Sequence, residues 1–231
     1  MKKDKLLKIW HISDTHTYHK LLEIPEGVDM VIFSGDCSNP RAPYTNELEV
    51  RDFIHWFKTL PIKYKIFVAG NHDSSIESKL VTKDDFEAYN IIYLENESVV
   101  INGIKIFGSP LTPQFGQWSF MKARNKLDRI WPSIIENDVD VVVTHGPPKG
   151  ILDIAEDRNH NIEFCGDRSL MNRIRKINPK LSLFGHIHNN SGIKNAGTRT
   201  VAGMQTVFSN GSVVTDRKFG TLSSNGNILE I

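Results

Sequence analysis

Residues 65–73 read Lys65-Ile66-Phe67-Val68-Ala69-Gly70-Asn71-His72-Asp73. An apolar run stops at a glycine and gives way to three polar side chains that can bind metal or move protons. Continuous rather than alternating apolarity predicts a strand covered on both faces. The glycine lets the backbone turn away from that strand and come close to a ligand. The same grammar recurs four times. Residues 8–13 run into Asp14-Thr15-His16, 30–34 into Gly35-Asp36, 139–143 into Thr144-His145-Gly146, and 181–184 into Gly185-His186-Ile187-His188. Parallel strands would bring all five carboxyl ends to one edge, where open α/β sheets bind their ligands.

Working outward, further short β-branched runs at 91–94, 99–101 and 104–107 read as strands, and Asn102-Gly103 between the last two is a hairpin signal. Asn46 is placed to cap a helix over 47–60, whose stripe is Leu48, Phe53, Ile54, Phe57 and Leu60, with Pro61 after its end. Residues 125–135 and 168–177 read as two more helices, the second stopped before Pro179. After Asn189 the composition shifts to Gly, Ser, Thr and Asn. Strand-like pieces at 206–208, 212–215 and 228–231 predict β-hairpins there. The expectation is a layered α/β protein with at least two sheets, and no boundary divides residues 1–231 into separate domains.

Composition removes several classes of function. With 39% hydrophobic and 24% charged residues the chain is an average globular protein, neither disordered nor a rod. Lys+Arg 28 against Asp+Glu 27 leaves a net charge of +1, too little to hold long nucleic acid by charge. Cys37 and Cys165 are too few for a disulfide framework and lack a neighbouring base, so both read as structural, Cys37 near the site because it follows Asp36. Residues 1–8 are charged with no apolar run behind them, and no window approaches the about 20 apolar residues of a membrane helix. A soluble cytoplasmic protein is expected, without a membrane partner. The sequence sets no oligomeric state.

Of nine histidines, His16, His72, His145, His186 and His188 fall in the strand-end motifs. One histidine beside a strand is usually a core residue, but five in the same setting point to metal. The others read as structural, with His19 and His160, in loops, also candidates to touch substrate. Residues i and i+2 of an extended segment face the same side, so Asp14 and His16 can share an ion, while His186 and His188 can reach one site or two. Imidazole, carboxylate and one amide oxygen, without thiolate, suit Mn, Fe, Zn, Ni or Co. Seven candidate ligands exceed one tetrahedral ion and suit two divalent metal ions clamping a displacement at phosphorus. Such a pair needs a bridging carboxylate.

This ordered pattern (D-x-H, G-D, G-N-H-D, T-H, G-H-x-H) resembles the calcineurin-like metallophosphoesterases, with every element present between residues 14 and 188. Residues 145–153, His-Gly-Pro-Pro-Lys-Gly-Ile-Leu-Asp, look like the H-G-P-P-x-G-x-x-D signature of the metallophosphoesterase-domain-containing branch. Phe208-Ser209-Asn210-Gly211-Ser212 is similar to a late segment of that branch, which would make Asn210 end a strand near the site instead of turning a hairpin. The resemblance implies a four-layer α/β/β/α sandwich of two mixed sheets. It implies one metal on Asp14, His16, Asp36 and His188 and the other on Asp36, Asn71, His145 and His186, with Asp36 bridging. A hydroxide held between the ions would attack phosphorus. His72 would remain unligated as the proton donor to the leaving oxygen, with Asp73 expected to orient its imidazole. Manganese is the favoured metal.

Loops 39–45, 110–126 and 147–168 should build the substrate pocket. There Arg41, Arg124 and Arg158 are candidates to grip phosphate or a base, and Phe115, Trp118 or Tyr44 to stack on a nucleobase. Short loops and near-neutral charge favour a small phosphoester, and the resemblance suggests a phosphodiesterase on cyclic nucleotides. The alternatives are a phosphomonoesterase or protein phosphatase, a catalytically silent scaffold, and a nuclease; relatives of the last kind carry an added domain, for which few residues follow His188.

Overall fold

The computed structural model describes residues 6–156, 159–190, 192–215 and 221–231. From the amino end, strands and helices alternate: β1 (Lys8–Ile12), β2 (Met30–Ser34), α1 (Pro43–Thr59), β3 (Tyr64–Val68), α2 (Ser74–Glu77), α3 (Lys83–Glu87) and β4 (Ile92–Tyr93). A hairpin of β5 (Glu97–Ile101) and β6 (Ile104–Ser109) follows. Then come the short pair β7 (Thr112–Pro113) and β8 (Met121–Lys122), α4 (Arg124–Ile134) and β9 (Val141–Thr144). A second hairpin, β10 (Ile154–Glu156) and β11 (Ile162–Phe164), precedes α5 (Arg168–Ile177) and β12 (Leu181–Phe184). The chain closes with β13 (Gly197–Thr200), β14 (Val207–Asn210) and β15 (Asn227–Glu230).

Two mixed sheets result. One runs β15-β1-β2-β3-β4, parallel except for β15 at one edge, and the other β13-β14-β12-β9-β6-β5, parallel inside with β13 and β5 antiparallel at its edges. Period-two alternation sorts the strand residues between layers. Ile9, Ile32, Ile66 and Val68 of the first sheet meet Ile106, Val141, Val143 and Leu183 of the second in an aliphatic layer. Trp10, Phe33 and Phe67 face the other way, onto Val50, Phe53 and Phe57 of α1. Phe107, Val142 and Phe184 cover Leu127 and Trp131 of α4 and Leu170 and Ile174 of α5. The order is helices, sheet, sheet, helices, the α/β/β/α sandwich. Buried His11 pins the two sheets together through Ser34 Oγ at 2.9 Å and Ser209 Oγ at 2.8 Å. Among the described residues no helix is long and apolar enough to cross a membrane.

The Asn102-Gly103 hairpin forms as read, with φ of 51° and 80° and Ile101 opposite Ile104. Three readings need correction. Helix α1 starts at Pro43, not after Asn46, because proline is preset for a first turn. Asn46 is buried inside that turn, where it donates to His72 O, Pro40 O and Ser38 Oγ and accepts from Ser75 N. Leu48, assigned to the apolar stripe, is 72% exposed, and Val50 takes the buried position. Third, the tail is not a set of local hairpins. Among the described residues β13 and β14 form one, and Val214 bridges Leu222 antiparallel; β14 also pairs in parallel with β12, and β15 closes the edge of the first sheet against β1. Long-range pairing decides those partners, and no local pattern encodes it.

Candidate metal centre

The five strand ends meet at one end of the sandwich, and the loops beyond them continue the ladders. Asp14 N donates to Gly35 O at 2.8 Å, His16 N to Asp36 O at 3.1 Å, and Gly185 N to His145 O at 2.9 Å. Two groups of ligand-type side chains face one another there: Asp14, His16 and His188, and Asp36, His145 and His186. His186 and His188, two residues apart, therefore belong to different groups. The extended geometry assumed for Asp14 and His16 is not what brings them together. Asp14, His16, Asp36 and His186 all have left-handed backbones, with φ of 53°, 42°, 62° and 69°. Asp and His tolerate this conformation better than most residues, at a cost of about 1–3 kcal/mol each, and such strain concentrates at functional sites. Glycine is required where those carboxylates and imidazoles press on backbone. A Cβ at Gly35 (φ +106°) would strike His145 Nδ1, and one at Gly185 would strike the Asp14 carboxylate.

Backbone carbonyls fix the imidazole tautomers. His145 Nδ1 donates to Ser34 O at 2.9 Å, His16 Nδ1 to Ser38 O at 3.2 Å, and His72 Nδ1 to Asn39 O at 3.1 Å. In its neutral form each ring then presents Nε2 as a lone pair, as in metal-binding histidines whose other nitrogen is hydrogen-bonded. His145 Nε2 lies 2.9 Å from Asn71 Oδ1 and 3.2 Å from Asp36 Oδ2. Three acceptors converging at that range are stable only around a cation, whether a proton or a metal. Asp36 Oδ2 is also 4.0 Å from His16 Nε2, a buried nitrogen with no hydrogen-bond partner among the described residues. In the other group, His188 Nε2 stands 3.3 Å from Asp14 Oδ1. The donor set fits two divalent ions, with Asp36 reaching both groups.

The electrostatics agree with a cation site. Burial would raise the Asp36 carboxyl, but the imidazoles of His145, His72 and His16 override it and hold Asp36 well below the usual carboxylate range. Burial works against charge on His145 as well, yet Asp36 and then Asp14 raise it to about 9. Burial dominates elsewhere and depresses His16 to about 4 and His186 to about 3, the charge of His145 adding to the latter.

The remaining candidates land in different places. The His72 ring sits edge-on to His16 at 4.9 Å and against Trp118 at 4.2 Å, with the Arg41 guanidinium 3.5 Å over the Trp118 ring. Arg41 and Trp118 line a polar cavity of about 420 Å³ with Asn71, Ser74 and Glu77. Asp73 does not orient His72. Its buried carboxylate accepts from Asp36 N, Gly70 N, Cys37 N and Ser38 Oγ, so it ties the loops together, and the Asn39 carbonyl takes the imidazole. Arg124 spends its guanidinium on Gly166 O and Cys165 O, which turns a proposed phosphate grip into a loop brace. Arg158 lies outside the described residues. His19 is buried under α1 against Phe53 and Trp56, away from the site, and His160 pairs with Glu156 at the surface. Cys37 is buried, and burial followed by the Asp73 charge raises its thiol well above the ordinary value, leaving it inert.

Two buried asparagines outside the ligand motifs brace the site. Asn210, at the end of β14 and not in a hairpin turn, donates to Ile187 O and Leu152 O and accepts from Ser212 N. Asn195 donates to His188 O and Ile154 O and accepts from Ile154 N. Together they clamp the loop that carries His186 and His188. The segment similarity at 208–212 pointed to Asn210; nothing local distinguishes Asn195.

A family model described as calcineurin-like phosphoesterase matches residues 7–190. The chain belongs to that family. Human metallophosphoesterase domain-containing protein 1 is 34% identical, over 82% of this chain and 63% of that protein. A UPF0046 protein of Caenorhabditis elegans is 31% identical, over 84% of this chain and 68% of its own length. The chain thus spans less than two thirds of the human relative, and the calcineurin-like match covers the whole strand-end constellation. A phosphopantetheinyl hydrolase structure from Mycobacterium tuberculosis shares the fold at a TM-score of 0.58 and 13% identity, covering 93% of this chain and 94% of that one.

Proposed function

We propose that this protein is a metal-dependent phosphoester hydrolase with a preference for small phosphodiesters, cyclic nucleotides among them. One observation carries the reading: His145 Nε2, Asp36 Oδ2 and Asn71 Oδ1 converge within 2.9–3.2 Å, while Asp36 extends toward His16 and the second group. Asp14, His16 and His188 would hold one divalent ion and Asn71, His145 and His186 the other, with Asp36 placed to serve both. When bound, the ion pair supplies a nucleophile at neutral pH and neutralises phosphate oxygens as charge builds in the transition state. Imidazole and oxygen donors without sulfur suit Mn, Fe, Zn, Ni or Co, and manganese is the ion taken for the test.

The protein's own part is to orient and to move a proton. His72 carries no place in either ligand group; with Nδ1–H given to Asn39 O, its Nε2 faces the site, and in the doubly protonated ring that Nε2–H is the proton given to the leaving oxygen. Trp118 and His16 restrict the ring to that task. The deep site between two cavities of about 420 and 430 Å³ suits a small ester better than a polymer.

The test is hydrolysis of bis(p-nitrophenyl) phosphate and p-nitrophenyl phosphate side by side in Mn²⁺, with metal content measured on the same samples. The reading expects about two ions per chain and faster diester turnover. His72→Ala should keep its metal and lose about 10²–10⁴-fold in kcat, whereas Asp36→Asn should lose metal as well. Full activity in either variant, or a wild-type preference for the monoester, overturns the assignment.

A further inference from the structure

We propose that the cleft on the His186 side of the centre is the subsite for a flat aromatic ester group of the substrate, and that Phe115 and Phe164 are its walls. The inference rests on the phosphoester reading above and adds where the organic part of the substrate lies. The cleft, of about 430 Å³, is lined by Phe115, Phe164, Pro113, Pro147 and Ile187 together with His186. His186 belongs to one of the two ligand groups, so the cleft opens directly onto the reacting centre. Phe115 is 59% and Phe164 51% exposed, and the Phe115 ring lies 5.3 Å from the His186 imidazole. Two large aromatic side chains left in water beside a polar site cost the free protein apolar exposure. A planar ligand would cover them, and aromatic stacking tolerates any planar group.

The other aromatics are poorer hosts. Trp118 is already engaged by the Arg41 guanidinium at 3.5 Å and His72 at 4.2 Å, and its cavity is lined by polar groups. Tyr44 is 78% exposed and lines neither cavity. Charge narrows the class further. Glu156 and Glu163 line the Phe115–Phe164 cleft; among the described residues the cations beside it, Arg124 and Lys149, both donate to main-chain carbonyls. Among these described groups that balance favours an uncharged ring over a second phosphate.

The experiment uses two diesters with the same leaving group, phenyl p-nitrophenyl phosphate and methyl p-nitrophenyl phosphate, in wild type, Phe115→Ala, Phe164→Ala, Trp118→Ala and Tyr44→Ala. The phenyl-to-methyl ratio of kcat/KM should fall about tenfold in each phenylalanine variant and stay unchanged in Tyr44→Ala, since stacking on one aromatic is worth about that factor. An unchanged ratio in both phenylalanine variants overturns the subsite, as does a fall in Trp118→Ala instead, even if both diesters are cleaved. Should neither diester turn over in metal-loaded wild type, the phosphoester reading fails. Equilibrium binding of phenyl phosphate against methyl phosphate then decides the cleft alone. A phenyl preference lost in the two variants supports it, and equal binding in wild type overturns it.

Discussion

Asp73→Asn separates two roles for a residue adjacent in sequence to His72. The substitution is isosteric, so it leaves volume alone and changes only charge and one acceptor. In the wild type one carboxylate oxygen accepts from Asp36 N at 3.0 Å and Gly70 N at 2.8 Å, and the other from Cys37 N at 3.1 Å and Ser38 Oγ at 2.7 Å. An amide must turn its NH₂ toward one pair. Toward the first it orphans two backbone donors; toward the second it orphans Cys37 N–H, while the Ser38 hydroxyl can rotate and accept. A buried donor left without its charged acceptor costs about 1–3 kcal/mol. Relief from burying a carboxylate, which burial and the nearby Asp36 already push up in pKa, offsets part of this. The net is about 2 kcal/mol, or about 4–8 °C in Tm for a chain of this size. Thermal unfolding of the metal-free protein reads it directly. Because Asp36 N would then face a neutral amide oxygen in place of a carboxylate, apparent Mn²⁺ affinity should weaken too. A Tm within about 2 °C of wild type, combined with a large loss of kcat and unchanged metal affinity, would refute the loop-tying role and return Asp73 to the imidazole.

Three further outcomes follow from the same geometry. With His145 raised to about 9, the metal-free protein carries a proton there at pH 7.5 that an ion must displace; calorimetry in two buffers of different ionisation enthalpy should find about one proton released, vanishing above pH ~10, and no release at pH 7.5 would contradict it. Burial, only partly opposed by Asp14, lowers His11 to about 3, so its contribution is intact above the ordinary value of 6.5 and lost as pH falls toward 3; urea midpoints of His11→Gln should depend less on pH below 6 than those of wild type. Asn210→Ala removes the brace on Ile187 O and should weaken metal binding about 10–100-fold in chelator competition, while His188→Ala should weaken it more; unchanged affinity in Asn210→Ala would reduce that residue to a packing role.

Much of the centre was legible because its residues are written at strand ends. Asp14, Asp36, Asn71, His145 and His186 each directly follow a strand or stand within three residues of one, and parallel pairing carries them to one edge. Glycines at 35, 70 and 185 advertised close approach, which Gly35 and Gly185 realise against His145 and Asp14. The aromatic roles were not legible. Trp118, Phe115 and Tyr44 looked equivalent as loop aromatics, and only Arg41 and His72 packed around Trp118 tell them apart. Arg124 likewise reads as a free cation until Gly166 O and Cys165 O are seen against it.

By itself the sequence determined the layered α/β class, the strand-end metal grammar and the resemblance to a phosphoesterase family. Those signals are local or strictly ordered along the chain, so spacing alone transmits them. Tertiary structure decided which imidazole joins which carboxylate, that Asp73 serves backbone and not His72, that β14 and β15 complete two different sheets, and that Asn195 and Asn210 clamp the last ligand loop. Each of these depends on which distant backbone groups arrive unpaired at the same place. Buried donors and acceptors must find partners, and their identity is fixed only when the sheets have closed on one another.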